Sequence, residues 1–240
     1  MLRGKIRDFL RRHFRWAALV GEPYYRYSFS QFGEDLLIET ALSALGIRQP
    51  SYLDIGANDP VVLSNTYLFY KRGGRGVCVE PDPFLAKRIQ RRRRRDVCLA
   101  VGVSGGAEDA ADFYVMAIKD LNTFSQSQAE LLEKEGIKIE EVLSVPLQPI
   151  NNILARHFPQ APDLLSLDVE GLDEIVLSTL DFKAFRPKVI CVETLVHGGE
   201  KADRKDDHIV GMLEAHGYFM FADTRVNTIF VDSYAWEKRL

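Results

Sequence analysis

The chain is poor in cysteine, and the little it has is scattered. Cys78, Cys98 and Cys191 are the only three in 240 residues. They are odd in number, lack C-x-x-C spacing and sit inside apolar runs, so they read as small buried strand residues rather than disulfide halves or metal ligands. No apolar run reaches the roughly 18 residues that a membrane-spanning helix needs. Ten prolines and 17 glycines are too few for a collagen-like or low-complexity chain. The start, MLRGKIRDFLRRHFRW, has neither the unbroken apolar stretch nor the small-residue cleavage site of a secretory signal. These absences point to a reducing, cytoplasmic setting.

Net charge is also small, at −3, but its distribution is uneven. Six basic side chains crowd residues 2–16 against Asp8 alone, and seven more, Lys87, Arg88 and Arg91 to Arg95, crowd 87–95 with no acid. The remainder carries 18 basic against 33 acidic residues, unlike the broadly basic face of a nucleic-acid binder, and no nucleic-acid partner is expected. Leu2, Ile6, Phe9, Leu10 and Phe14 give 2–16 the spacing of an amphipathic basic helix, placed with its linker in a leading segment 1–27. Packing on its own domain or on a second copy is favoured over docking to an anionic membrane surface. Five consecutive arginines do not fit one helix face, so most of the 91–95 run reads as solvated surface.

From residue 51 short apolar runs alternate with helical patterns. Strands are expected at 52–55, 76–80, 97–103, 164–169 and 189–193, and helices near 64–73, 83–95, 172–180 and 203–216. Two closing strands, 218–222 and 228–231, are joined by a short turn. This alternation builds βαβ units and a mostly parallel sheet covered on both faces. A strand at 112–116, a polar helix near 126–135 and a strand at 142–147 form extra material, read as an insertion (105–147) within a domain spanning 28–240 that caps the ligand end of the sheet. The outline is a doubly wound, Rossmann-like class I methyltransferase fold: a seven-stranded sheet with an antiparallel last strand. A dehydrogenase-type dinucleotide fold is the competitor.

The loop after the first strand separates the two. Tyr52-Leu-Asp-Ile-Gly-Ala-Asn58 offers one glycine where a dinucleotide-binding turn needs G-x-G-x-x-G, and an acid that would repel phosphate. Gly56 allows close backbone approach, Asp54 suits an ammonium or a water, and Asn58 donates and accepts. Glu80 ends Gly76-Val-Cys-Val-Glu-Pro81, one strand–helix–strand unit after Asp54, where a carboxylate accepts ribose hydroxyls; Pro81 stops the strand.

Together with Ser30-Gln-Phe-Gly-Glu-Asp35, Ser64-Asn-Thr-Tyr67, Leu165-Ser-Leu-Asp-Val-Glu-Gly-Leu-Asp173 and Arg186-Pro-Lys-Val-Ile-Cys-Val-Glu193, these stretches closely resemble the FkbM family of S-adenosylmethionine-dependent O-methyltransferases over residues 28–232. The resemblance implies methyl transfer to a hydroxyl, often on a sugar, glycolipid or polyketide. It implies that Asp54, Gly56 and Asn58, with Ala57 beside them, hold the methionine end of S-adenosylmethionine, and that Glu80 and Pro81 border the ribose. Gln31 and Glu34 would close over the cofactor, and Ser104 would stand on the adenine side.

Asp168 lies at the fourth strand's end, where both cofactor and acceptor pass. Asp168 or Glu170 is then the base for the acceptor hydroxyl, with Glu193 at the next strand end and His197 four residues on. The same acids offer oxygen ligands to Mg²⁺, a divalent metal being a less favoured alternative to metal-free base catalysis. The reading is a methyltransferase acting on a sugar, glycan or glycolipid hydroxyl and yielding S-adenosylhomocysteine. The alternative is a non-catalytic cofactor-binding or scaffold protein of a glycan-assembly system. An NAD-dependent oxidoreductase and a nucleic-acid methyltransferase are weaker rivals.

Overall fold

A computed structural model describes residues 26–106, 108–169, 171–195 and 205–239. The expected basic helix at 2–16, Glu170 and His197 lie outside the described residues. In chain order the elements are α1 (Glu34–Ala44), β1 (Ser51–Ile55), α2 (Tyr67–Lys71), β2 (Arg75–Val79), α3 (Pro83–Arg92), β3 (Val97–Leu99), β4 (Gly102–Ser104) and β5 (Ala110–Met116). A 3₁₀ turn (Lys119–Leu121) leads to α4 (Gln126–Lys134), β6 (Ile139–Pro149), α5 (Ile150–His157), β7 (Leu164–Leu167) and α6 (Asp173–Thr179). The chain continues through β8 (Val189–Glu193), α7 (Asp207–Ala215), β9 (Tyr218–Asp223), β10 (Asn227–Asp232) and α8 (Ser233–Glu237).

Seven strands form one sheet in the order β3-β2-β1-β7-β8-β10-β9, with β10 antiparallel to both its neighbours and the remaining pairs parallel. This is the class I methyltransferase outline expected from the sequence. The two-residue alternation of each strand divides the core. Leu53, Ile55, Leu165, Leu167, Ile190 and Val192 face α5, α6 and α7, whereas Tyr52, Leu164, Val189 and Cys191 face α1 and Phe69 of α2. Each such fully buried aliphatic side chain contributes about 1.5–3 kcal/mol. All three cysteines are free; Cys78 and Cys191 are buried and Cys98 partly so.

One expectation needs correcting. The run 97–103 is two strands, not one: β3 pairs with β2, while β4 leaves the main sheet and pairs in parallel with β6. Gly102 permits the departure, because a Cβ there would meet Leu147 Cδ2 and Phe124 Cζ at 2.6 Å. The second sheet, β4-β6-β5, thus carries the inserted segment.

The arginine run is solvated but for one member. Arg91, Arg92, Arg94 and Arg95 are exposed, but Arg93 is 0% exposed and heads the largest fully buried side chains among the described residues. Helix α3 ends at Arg92, and the chain turns there, carrying Arg93 under the sheet. Its guanidinium donates to Thr66 Oγ1 (2.7 Å), Ser64 Oγ (3.2 Å) and Asp54 Oδ2 (3.3 Å), and Asp96 Oδ2 lies 3.9 Å from its Nε. Charge paired in this way is compatible with full burial.

Candidate active site

The carboxyl ends of β2, β1, β7 and β8 converge on a cavity of about 450 Å³, the edge of a parallel sheet where ligands bind. Gly56, just past β1, has φ of 81°, and a Cβ on it would lie 1.7 Å from the backbone oxygen of Asp168. Only glycine fits this crossing of the β1 and β7 turns. Asn58 adopts a left-handed φ of 41°, tolerated by asparagine, and its backbone N–H then points at Glu80.

Glu80 is buried, and each of its oxygens accepts one backbone N–H: Oε2 from Asn58 (2.8 Å) and Oε1 from Asp82 (2.9 Å). Each oxygen keeps a second lone pair for a further donor. Burial pushes the carboxyl up to about 7; the two N–H bonds oppose this, while the charges of Asp82 and Asp54 add to it. Asp82 is itself fixed as the cap of α3, accepting from Phe84 N at 2.8 Å with Pro83 in the first helical turn.

Across the cavity from Glu80, beyond Gly56, stand Asp168, half-buried, and Glu193, buried at the end of β8. Behind them Asp173, at the start of α6, accepts from Val169 N at 3.2 Å. Burial first, and then the charge of Glu193, raise the Asp173 carboxyl to about 7. Asp173 closes the D-x-E-G-x-D stretch, a position to which the sequence analysis gave no role.

Of the residues singled out from sequence, Gln31, Gly56, Ala57, Asn58, Glu80, Pro81, Asp168 and Glu193 line this one cavity. Asp54, Glu34 and Ser104 do not. The Asp54 carboxylate accepts from Thr66 Oγ1 and from Arg93. Glu34 accepts from Thr224 Oγ1 (2.7 Å), Phe32 N (2.8 Å) and Asn227 Nδ2 (3.3 Å). Burial alone would raise its carboxyl; these bonds outweigh burial and hold it below the ordinary range. The Ser104 hydroxyl donates to Gly106 O at 3.3 Å. Among the described residues no group of three or more His, Cys, Asp or Glu is arranged to hold a metal ion.

Further lining residues escaped the sequence analysis. Phe113, Asp120, Asn122 and Phe124 come from the inserted segment, and Asn227 from the first position of β10, paired in register with Glu193. No local pattern marks them, since each is brought in by long-range pairing.

Among solved structures, a TehB-like S-adenosylmethionine-dependent methyltransferase from Corynebacterium glutamicum is similar at 14% identity, covering 94% of this chain and 97% of that one, with a TM-score of 0.43. The methyltransferase FkbM from Methylobacillus flagellatus is also 14% identical, covering 91% of this chain and 46% of that one, with a TM-score of 0.43. A putative caffeoyl-CoA O-methyltransferase from Staphylococcus aureus is 8% identical, covering 94% and 91%, with a TM-score of 0.49. No curated protein sequence matches the chain. Residues 54–220 match the methyltransferase FkbM domain, a span that runs from the β1 acid to β9 and takes in Gly56, Glu80, Asp168 and Glu193. The chain belongs to the FkbM family of S-adenosylmethionine-dependent methyltransferases.

Proposed function

We propose that this methyltransferase transfers its methyl group to a hydroxyl oxygen on a sugar, glycan or glycolipid. The observation that carries the reading is the placing of Asp168 and Glu193 in the same cavity as Glu80, on opposite sides of Gly56. The residues present fit the cofactor. Glu80 has two oxygens with lone pairs to spare for the ribose hydroxyls, and Gly56 leaves the backbone bare where the ligand crosses the sheet edge.

When bound, S-adenosylmethionine would supply an electrophilic methyl carbon from which the sulfur leaves, as S-adenosylhomocysteine, in an in-line displacement. Much of the acceleration comes from holding the acceptor oxygen in line. A sugar hydroxyl is a weak nucleophile near neutral pH, and Asp168 takes its proton as the oxygen–carbon bond forms. Glu193, on the neighbouring strand, accepts from a second hydroxyl and orients the acceptor. Asp173, raised by burial and by the charge of Glu193, keeps its proton to about pH 7.

The test uses methyl-labelled cofactor with simple glycosides and glycolipids as acceptors. The expected product is labelled methyl ether that survives mild base, lost in Asp168→Asn with S-adenosylhomocysteine affinity unchanged. Base-labile methyl ester, or label on nitrogen, would replace the hydroxyl reading.

A further inference from the structure

The Glu80 half of the cavity is closed by the inserted segment rather than by the main sheet. Phe113, Asp120, Asn122 and Phe124 line it, and none belongs to the strand-end turns from which the site was read. The segment is a built wall. Tyr114 N donates to Thr123 O (2.8 Å) and Thr123 N to Tyr114 O (3.2 Å), pinning 123–124 alongside β5. Met116 N donates to Asn122 Oδ1 at 2.8 Å. The Phe124 ring rests on the space Gly102 leaves open, with the Phe113 ring 4.7 Å away and tilted by 56°. Phe113 is buried in the small core of the second sheet, but Phe124 is half-buried and keeps part of its surface for the cavity.

The wall is also tied to the turns that hold Glu80. Asn58 Nδ2 donates to Asp120 Oδ1 at 2.8 Å, and Asn122 Nδ2 reaches Asp82 Oδ2 at a long 3.4 Å. Asn58 and Asp82 are the two residues whose backbone N–H groups grip the Glu80 carboxylate. Sheet order sets β2, with Glu80 past its end, on one side of β1 and β7, with Asp168 past its end, on the other, and these two bonds of the wall go to the turns after β1 and β2. A nucleoside with its ribose on Glu80 and its reacting end toward Asp168 places its base against Phe124.

We propose that the inserted segment is the nucleoside wall of the site, with the Phe124 ring stacking on the adenine and the Asn58–Asp120 bond latching the wall to the ribose-binding turn. The proposal rests on the reading that the cavity takes S-adenosylmethionine, and it names residues for the half of the ligand where the chemistry does not occur. An ordinary core phenylalanine is the competing role. That role needs only apolar bulk, whereas stacking needs a π face.

The experiment titrates the full chain with S-adenosylhomocysteine and with adenosine, by calorimetry and by following the adenine absorbance band. Phe124→Leu keeps the bulk of the small core and is expected to weaken both ligands by the same factor, about tenfold, and to abolish the hypochromism of bound adenine. Phe124→Trp restores both. Asp120→Ala is expected to speed S-adenosylhomocysteine release. If the parent binds and Phe124→Leu binds adenosine equally tightly with the same hypochromism, the wall is structural and the proposal is overturned. A folded parent that binds neither ligand defeats the cofactor reading itself, and this proposal with it.

Discussion

Two sets of buried charge lie close to β1, and they are handled in opposite ways. In one, Arg93 sits between Asp54 and Asp96, its terminal N–H groups donating to Asp54, Thr66 and Ser64 and its Nε without a hydrogen-bond partner among the described residues, while Tyr52 Oη donates to Asp96 Oδ2 at 2.6 Å. At the cavity, burial first, and then the charges of Asp82 and Asp54 on Glu80 and of Glu193 on Asp173, raise both carboxyls to about 7. In the first set opposite charges meet and the network holds helix α3 to the sheet. In the second, carboxyls are buried beside other acids at a cost to the folded chain when ionised, the usual mark of a site kept for a ligand. Asp54, read from sequence as a cofactor residue, is spent on the first set.

The largest effect follows from breaking the first set. Arg93→Ala leaves Asp54 and Asp96 buried without their cation and is expected to cost about 3–5 kcal/mol by denaturant unfolding. Arg94→Ala, one residue on and exposed, is expected to stay within about 0.5 kcal/mol of the parent. Equal, small effects would mean that Arg93 is solvated like its neighbours.

Gly56→Ala comes next, because its Cβ would overlap the Asp168 backbone oxygen at 1.7 Å in a left-handed conformation. Overpacking of this kind costs about 1–3 kcal/mol, and S-adenosylhomocysteine binding is expected to vanish with it. A variant that binds normally would remove Gly56 from the site. Tyr52→Phe deletes a bond to a buried carboxylate and is expected to cost about 1.5–3 kcal/mol while leaving ligand affinity unchanged. A selective loss of affinity there would blur the division between the two sets.

This division was only half legible in the sequence. The period-two strands, Gly56 and the acid ending β2 announce themselves locally, because strand alternation and a turn glycine are short-range signals. Arg93 was hidden among five identical side chains; what distinguishes it is that α3 stops at Arg92, a boundary that the 83–95 helical pattern did not mark. Glu34 was read as a cofactor residue, yet its partners Thr224 and Asn227 stand 190 and 193 positions away, and no local motif points to them. The inserted wall was seen as a cap, but which of its side chains enter the cavity depends on how β4 leaves the sheet at Gly102.

Opposite pH trends sharpen the comparison further. Glu80 and Asp173 hold their protons to about pH 7 in the folded chain, against ordinary values of 4.5 and 3.8. Their contribution to stability is therefore complete below about pH 4 and is lost as pH rises through 7. Thermal midpoints of the parent are expected to fall between pH 5 and pH 8, and those of Glu80→Gln and Asp173→Asn to fall less. Variants that track the parent over this window would show that neither carboxyl is raised.

Binding runs the other way, and it tests the central claim most directly. On the proposed reading, ribose hydroxyls donate to ionised Glu80; with its carboxyl at about 7 it is about one-tenth ionised at pH 6 and about nine-tenths at pH 8, so S-adenosylhomocysteine is expected to bind about tenfold more tightly at the higher pH. The measurement is calorimetric titration at both values, for the parent and for Glu80→Gln. Tightening in the parent, with weak and pH-independent binding in the variant, is the predicted result. Binding by the parent that ignores pH, or equal binding by Glu80→Gln, would contradict the assignment of Glu80 as the ribose acceptor.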